Sequence, residues 1–359
     1  MTKTVIWRGY FSGSSGYTQA TKRYPIATVM AGYNTKIMPM DNLDPKDPLS
    51  TLLVRSDKDL ENSLQIVHQI PTTVPNLEGY FTVTEFNMCP PEWWESLLHA
   101  KLILTQSKFC KDIFGSIPGM NKSKIKVVYY PMPAYCVEKG PNLRQKLHFN
   151  NDTFIIGSIF EWVARKKPEL MWEAFINEFK PDEKVLFLNK IQPPNFFRDW
   201  WYRFNQYRKK DPRIQLINGF VEDMGTLYRT FDCTCSPTAG EGWGAVLSES
   251  MACGIPTIGS KHSGNLEYMT DQNSWLVDVD PWSEVGSDHT NHLPEFLLHK
   301  YQKWRLPKVD SIQKAMREIY EIWKTKEPNK RALEGLKLQE LCGMKNISAQ
   351  MGKALVEYL

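Results

Sequence analysis

Short apolar runs alternate with helix-like segments along most of this chain, first over residues 4–129 and again over 154–277. Strands that alternate with helices indicate a parallel sheet with helices packed on its faces. A break rich in proline and polar residues separates the two series at Pro131–Asn151. Because the chain has 359 residues, each series can bury a core of its own. The pattern therefore predicts two α/β domains.

We place the two domains at residues 1–145 and 146–335, and a last helical segment at 336–359. For this last segment we consider packing back on the N-terminal domain. After Pro281 the pattern predicts mostly helical structure through Leu359, and helical periodicity is strongest over Val309–Lys324 and Lys330–Cys342.

Aromatic and basic residues are interleaved in the segment NFFRDWWYRFNQYRKKDPR. Segments that bind nucleic acids or membrane surfaces can have the same composition. On a helix over Phe196–Tyr207, however, the aromatic residues fall on one face and most basic residues lie opposite. The aromatic set is Phe197, Trp200, Trp201, Phe204 and Tyr207. We therefore predict an amphipathic helix whose aromatic face is packed in a core.

The stretch Ser236–Glu267, SPTAGEGWGAVLSESMACGIPTIGSKHSGNLE, follows a short apolar strand. Gly240, Gly242 and Gly244 predict a turn, and Ala245–Ala252 predicts a helix that Gly254 and Pro256 end. A helix N-terminus offers unpaired N–H groups and a partial positive charge, so it favours an anion such as a phosphate.

Two carboxylates, Glu241 and Glu249, flank this turn. Eight residues of helix rise about 12 Å, so we expect that the two carboxylates cannot act on one bond. This separation fits poorly with the pair of carboxyl groups in a glycoside hydrolase, which lie roughly 5 to 10 Å apart. A carboxylate is well matched to pairs of hydroxyl groups. With an anion cradle between the two, the implied ligand is a sugar, a diphosphate and a ribose in a row.

A second strand, glycine loop and helix open the chain, where Thr4–Trp7 precedes Gly9, Gly13 and Gly16. A loop in this position can also bind an anion, although glycines at this kind of turn more often serve only to form the turn. The loop has neither a GxGxxG spacing nor a GKT sequence, which argues against a dinucleotide fingerprint and a Walker loop.

The net charge of +4 is too small to indicate a nucleic-acid partner, but it is compatible with an anionic substrate or a membrane surface. Seven scattered cysteines indicate reduced thiols, and Cys233 and Cys235 lack the partners of a zinc site. Neither a signal peptide nor an apolar run of about 18 residues is visible. We expect a soluble cytoplasmic protein without an integral membrane segment and leave peripheral membrane contact open.

The run SPTAGEGWGAVLSESMACGIPTIGSKHSGNLEYM resembles the Glu, seven residues, Glu signature of the retaining glycosyltransferases of family four. Upstream, INGFVEDMGTLYRTFDCTCSPT and GSIFEWVARKKPELMWEAF are similar to that family's segments before the signature, and YFTVTEFNMCPPEWWESLLHAKLILTQSKF is similar to its N-terminal domains. The resemblance implies the GT-B fold, which has two facing Rossmann-like domains and an interdomain cleft. It also implies a nucleoside-diphosphate sugar donor, retained configuration, and neither a metal nor a cofactor.

Carried over by position, the resemblance assigns the donor sugar's hydroxyls to Glu241 and the donor ribose to Glu249. Backbone groups over Gly242, Trp243 and Gly244 would lie near the sugar or phosphate. The remaining donor-binding positions are Gly219, Phe220 and Val221 for the base, and Gly13, Ser14, Ser15 and Gly16 for the diphosphate.

The chain departs from the family at two places. Many members have an arginine after the glycine that Gly157 matches, whereas here a cluster of Arg165, Lys166 and Lys167 follows. Without a metal, Arg165 and Lys166 are the candidates to stabilise the departing diphosphate. Many members also place a histidine near the sugar. Here Glu85 ends the corresponding strand, with His68 as its rival from the strand before.

The predicted function is therefore metal-independent, retaining transfer of a sugar from a nucleoside-diphosphate sugar to an acceptor hydroxyl. The acceptor stays open among a glycan, a lipid-linked sugar, a small molecule, a protein and a modified nucleic acid. One alternative is a catalytically silent nucleotide-sugar-binding scaffold, and another is a nucleotide-sugar epimerase or a phosphorylase of the same fold.

Overall fold

The computed structural model describes residues 3–13, 15–72, 77–192, 200–219, 221, 223–285 and 302–359. The chain divides into two compact units, Met1–Met132 together with Glu340–Leu359, and Pro133–Gln339. Residues 133–145, which the prediction placed in the first domain, lie in the second unit. The reason is packing, because Tyr135 and Leu143 contact the apolar cluster around Ile155 and Leu227.

The first unit contains a sheet of six parallel strands in the order β2-β1-β3-β4-β5-β6. Its strands are β1 Thr4–Gly9, β2 Thr35–Pro39, β3 Ser63–His68, β4 Gly79–Phe81, β5 Leu102–Thr105 and β6 Ile125–Val127. The helices between these strands are α1 Gly16–Met30, α2 Asp57–Leu60, α3 Trp94–His99 and α4 Lys108–Gly115. The strand register places the carboxyl ends of β1 and β3 side by side, where Arg8 pairs with Val67.

The second unit repeats this architecture with six parallel strands in the order β12-β11-β10-β7-β8-β9 and a separate two-stranded hairpin. The strands are β7 Phe154–Glu161, β8 Val185–Gln192, β9 Ile214–Leu216, β10 Cys233–Cys235, β11 Thr257–Ser260, β12 Trp275–Val277, and the hairpin strands β13 Ser283–Glu284 and β14 Lys303–Trp304. The helices are α5 Pro168–Glu178, α6 Trp200–Lys210, α7 Met224–Tyr228, α8 Ala245–Ala252, α9 Val309–Thr325 and α10 Lys330–Gly335. The next helix, α11 Leu338–Leu341, begins in the second unit and ends in the first.

The periodic segment Lys330–Cys342 is helical, as predicted, and forms two short helices. After α10 the chain turns at Leu336 and Lys337, and it becomes helical again only at Leu338. Gly335 ends α10 and packs against the backbone of Met251, so a glycine in the middle of the periodic pattern marks the break. The last helix, α12 Met344–Leu355, belongs to the first unit and packs against α1.

Helix α6 differs from its prediction at one aromatic residue. Trp200, Phe204 and Tyr207 pack against the core of the second unit, as the pattern predicted. Trp201 is 45% exposed, because each residue turns a helix by about 100° and carries this side chain out of the packed face. Phe196 and Phe197, the predicted start of the helix, lie outside the described residues.

Candidate functional site

The loop between β10 and α8 is shaped by Gly244. Its φ of 87° lies in the left-handed region, and helix α8 begins directly after it, at the predicted residue Ala245. A side chain here would be strained in the backbone and would also approach the hydroxyl of Tyr268, which lies 3.0 Å from the position of an added Cβ. Gly244 therefore separates the loop that carries Glu241 from the helix that carries Glu249.

The predicted distance between Glu241 and Glu249 assumed that one helix connects the two glutamates, and this assumption was wrong. Glu241 precedes the helix and Glu249 lies within it, so eight helical residues do not connect them. The rise of about 12 Å along one helix therefore does not apply to this pair.

A second glycine holds the same loop in place. The N–H of Gly264 donates to the carbonyl oxygen of Glu241 at 2.8 Å, and the N–H of Glu241 donates to Oγ of Ser263 at 2.9 Å. A Cβ added at Gly264 would lie 2.0 Å from the carbonyl oxygen of Gly242. Two backbone segments thus meet more closely than any side chain permits, and this contact fixes the direction of Glu241.

Glu241 is the centre of a small charged cluster. Its Oε1 accepts hydrogen bonds from Nη1 of Arg165 at 2.9 Å and from Nζ of Lys166 at 2.6 Å. Arg165 and Lys166 lie in a 3-10 helix directly after β7. Burial raises the pKa of the Glu241 carboxyl, but the charges of Arg165 and Lys166 outweigh burial and hold this pKa below its ordinary value. Glu241 is therefore ionised at neutral pH.

Lys167 lies in a different environment from its two neighbours. Its backbone is left-handed, with φ 46° and ψ 49°, and its side chain is buried. Its Nζ lies 3.7 Å from the centroid of the Trp304 ring, a cation–π contact with the hairpin strand β14. Of the three consecutive cations, Arg165 and Lys166 thus contact Glu241, whereas Lys167 contacts an aromatic ring.

Glu249 is buried in the second unit and is held by two tyrosines. Its Oε2 accepts hydrogen bonds from the hydroxyl of Tyr135 at 2.8 Å and from that of Tyr228 at 2.9 Å. Tyr228 ends α7, and Tyr135 lies in the 3-10 helix Ala134–Cys136. Neither tyrosine was predicted from the sequence, because neither lies near Glu249 along the chain.

The positions predicted to hold the base are described only in part. Gly219 has a φ of 81°, and its carbonyl oxygen accepts a hydrogen bond from Nζ of Lys190 at 2.6 Å. Val221 packs against the apolar cluster that contains Ile155 and Leu227. Phe220 lies outside the described residues. The turn at Gly219 is thus fixed by a lysine of β8, and its role in base binding stays a prediction.

The N-terminal glycine loop is anchored by Asp41. One carboxylate oxygen accepts from the N–H of Phe11 at 2.9 Å, and the other accepts from the N–H of Ser12 at 2.7 Å. Gly13 follows with a φ of 106°, and Ser15 caps helix α1 by accepting from the N–H of Thr18 at 3.1 Å.

Gly16 begins α1, and Ser14 lies outside the described residues. The predicted order of strand, glycine loop and helix is confirmed, while contact with a diphosphate stays a prediction.

His68 ends β3 and Glu85 follows the neighbouring strand β4, but the two residues differ in surroundings. His68 is fully buried, with Nδ1 2.6 Å from Oγ1 of Thr21 and its ring stacked on Tyr17 at 4.2 Å. It is a core histidine. Glu85 is partly buried after β4, and its charge adds to burial in raising the pKa of Tyr17. A substrate role for Glu85 stays a prediction.

His262 lies just before the 3-10 helix Gly264–Glu267 but does not cap it. The N-cap of this helix is Ser263, and the ring of His262 packs edge-on against Trp282 at 4.9 Å.

The buried state of His68 predicts a pH-dependent stability. Burial lowers the pKa of His68 from 6.5 to about 3, so the unfolded chain binds a proton that the folded chain does not. Stability should fall as the pH drops below 6.5, by about 1.4 kcal/mol per unit for this residue. Urea titrations at pH 7 and pH 5 should show that His68→Gln loses about 2 kcal/mol less on acidification than the wild type.

His99→Gln, at an exposed position of α3, is the control for this experiment. An equal acid sensitivity in His68→Gln and in the wild type would contradict the prediction.

Metal-ligand residues do not cluster in the described part of the chain, where no group of three or more His, Cys, Asp or Glu could hold an ion. All seven cysteines are free thiols, and burial raises the pKa of Cys233 and Cys235. No helix within the described ranges is both long enough and apolar enough to cross a bilayer.

Comparison with known proteins connects this site to a family. Residues 155–286 match the family model of the glycosyl transferases group 1, and this range contains Arg165, Lys166, Glu241 and Glu249. No curated protein matches the sequence.

Solved structures that are similar to this chain over nearly its whole length include the following three. The first is HepE of Anabaena with UDP and glucose, with a TM-score of 0.73, 15% identity and coverage of 99% of this chain and 100% of that chain. A glycosyltransferase from Rickettsia africae gives a TM-score of 0.70 at 13% identity and covers 100% of both chains. Sucrose-phosphate synthase from Thermosynechococcus elongatus gives 0.68 at 12%, covering 99% of this chain and 98% of that chain.

At these identities the structural likeness establishes the fold. The predicted fold class, α/β with two Rossmann-like domains in the GT-B architecture, is confirmed. The family match and the glycosyltransferases among the similar structures support the prediction that the chain is a glycosyltransferase. The interdomain cleft stays a prediction.

Proposed function

We propose that this chain transfers a sugar from a nucleoside-diphosphate sugar to an acceptor hydroxyl, with retained anomeric configuration and without a metal ion. The observation that carries the proposal is the cluster of Glu241, Arg165 and Lys166 at the carboxyl ends of β7 and β10. Open parallel sheets bind ligands at this edge.

The charges of the cluster suit a sugar diphosphate. Two cations converge on Glu241, and their positive charges lie at the edge of the sheet where a diphosphate would bind. Arg165 and Lys166 would stabilise the negative charge that develops as the diphosphate leaves. Glu241, ionised and fixed by Gly264, would hold the hydroxyls of the donor sugar.

Retention follows if the acceptor hydroxyl attacks from the face that the diphosphate leaves. A phosphate oxygen of the donor would then take the acceptor's proton, so the protein supplies position and charge stabilisation rather than a strong base. This fits a site in which the buried carboxylates are already engaged with cations or tyrosines.

A thermal-shift screen with UDP, GDP and ADP and their sugars should identify the donor, because a bound ligand stabilises the folded state by mass action. UDP sugars are the first choice, since HepE was solved with UDP-glucose. The identified donor is then incubated with candidate acceptors in EDTA, and the product anomer is determined by NMR. We expect activity in EDTA and a retained configuration.

Other results would select other functions. Activity lost in EDTA and restored by Mn²⁺, or an inverted product, would refute this mechanism. Turnover of the donor without an acceptor would favour an epimerase, sugar-phosphate formation from inorganic phosphate would favour a phosphorylase, and donor binding without turnover would favour a scaffold.

A further inference from the structure

Two tyrosines converge on one oxygen of a buried carboxylate. The hydroxyls of Tyr135 and Tyr228 donate to Oε2 of Glu249 at 2.8 and 2.9 Å, across sequence separations of 114 and 21 residues. Glu249 lies on α8, Tyr228 on α7, and Tyr135 among the first residues of the second unit. Three separate segments therefore fix the direction of one side chain.

The two phenol rings are themselves held firmly. They stack with centroids 6.5 Å apart and planes 24° from parallel, and Tyr228 is fully buried. Gly225 of α7 lies so close beneath Tyr135 that an added Cβ would be 2.8 Å from its carbonyl oxygen. Arg229 donates to the carbonyl oxygens of Glu138 at 3.1 Å and Pro141 at 3.0 Å, which ties this segment to α7.

The protonation state of Tyr228 is set by its surroundings. Burial, followed by the negative charge of Glu249, raises the pKa of Tyr228 well above its ordinary value, so its hydroxyl stays a donor at neutral pH. A carboxylate has about four lone-pair sites and can accept from several hydroxyl groups at once. A ribose presents two neighbouring hydroxyls that can donate to such a group.

Stability alone gives no reason for this arrangement. The group is embedded in an apolar cluster that includes Ile155, Leu227 and Phe231. Apolar residues of similar volume would pack there without the desolvation cost of a buried carboxylate. A ligand that needs the carboxylate in one orientation does explain it, because a preorganised acceptor loses little conformational entropy on binding.

We propose that Tyr135 and Tyr228 are positioning residues that hold the Glu249 carboxylate for the ribose of the donor and thereby set the preference for ribose over deoxyribose. The inference rests on the proposed function and deepens it. It makes nucleotide selection depend on two hydroxyl groups that would not touch the nucleotide.

The test uses Tyr135→Phe, Tyr228→Phe and the double variant, each of which keeps the ring and removes only the hydroxyl. Tyr320→Phe is the matched control, because Tyr320 packs by its ring against Phe154 and Trp323 in another core of the same unit. Calorimetry measures the dissociation constants of UDP, 2′-deoxy-UDP and 3′-deoxy-UDP for each protein. GDP or ADP and their deoxy forms replace them if the screen selects another base.

We expect the wild type to bind the ribonucleotide about tenfold or more tightly than at least one deoxy form, as one hydrogen bond to a charged group implies. Each single variant should lower this ratio, and the double variant should bring it close to one, while Tyr320→Phe keeps it. In the transfer assay the KM for donor should rise with kcat little changed.

An equal loss of affinity for ribo and deoxy forms would show a structural role and overturn the proposal. So would a wild type that binds the nucleotide without any preference for ribose, although the proposed function would stand in that case. Binding of none of the nucleotides would overturn both.

Discussion

Replacing Lys166 by alanine is expected to lower the rate of sugar transfer by about 10²- to 10³-fold, the usual effect of losing one preorganised group that stabilises charge in the transition state. Lys166 donates to Glu241 at 2.6 Å and is mostly buried, so its ammonium is fixed before a ligand arrives. Arg165 would still contact Glu241 at 2.9 Å in the variant, which keeps the carboxylate paired and the unit folded.

The affinity for the nucleoside diphosphate should fall together with the rate, because the same cation would face the diphosphate before and after transfer. Calorimetry with the diphosphate and initial-rate measurements test both effects. Lys261→Ala is the control, since Lys261 follows β11 at the same edge of the sheet but is 52% exposed. Full activity in Lys166→Ala, or an equal loss in Lys261→Ala, would exclude a specific role for Lys166.

The fold could be predicted from sequence because its signals are local. Apolar runs of three to eight residues, such as Phe154–Glu161, alternate with helical segments, and glycines mark the turns at strand ends. The break in the helix after Gly335 could not be predicted in the same way. There a glycine packs on the backbone of Met251, and only the tertiary structure brings these residues together.

For the candidate site, the residues could be predicted from the sequence, but their contacts could not. The residues Arg165, Lys166 and Glu241 were named from sequence, but their mutual contact depends on the register of β7 beside β10. Lys167 could not be separated from its neighbours, because its position over Trp304 requires the hairpin strand β14.

The two tyrosines on Glu249 carry no local signal either. Tyr228 is 21 residues away and Tyr135 is 114 residues away, in the break where a domain boundary was predicted. A carboxylate named from a motif thus gains its orientation from residues outside the motif.

Replacing Glu241 by glutamine should lower the rate of sugar transfer and raise the affinity for the nucleoside diphosphate. Transfer should fall by about 10²-fold or more, because the variant loses the negative charge of the acceptor group. The hydrogen bonds from the donor sugar to this charge would become stronger in the transition state. The nucleoside diphosphate should bind more tightly, by about tenfold, since Arg165 and Lys166 would no longer share their charges with a carboxylate.

This opposition separates Glu241 from Lys166, whose loss should weaken both binding and transfer. Glutamine keeps the shape of the side chain and can still accept a hydrogen bond from Lys166, so the loop held by Gly264 should stay in place. Glu161→Gln, at the exposed end of β7, is the matched control and should change neither quantity. A Glu241→Gln variant that binds the diphosphate more weakly would show that the carboxylate orients the two cations instead of competing with the ligand for them.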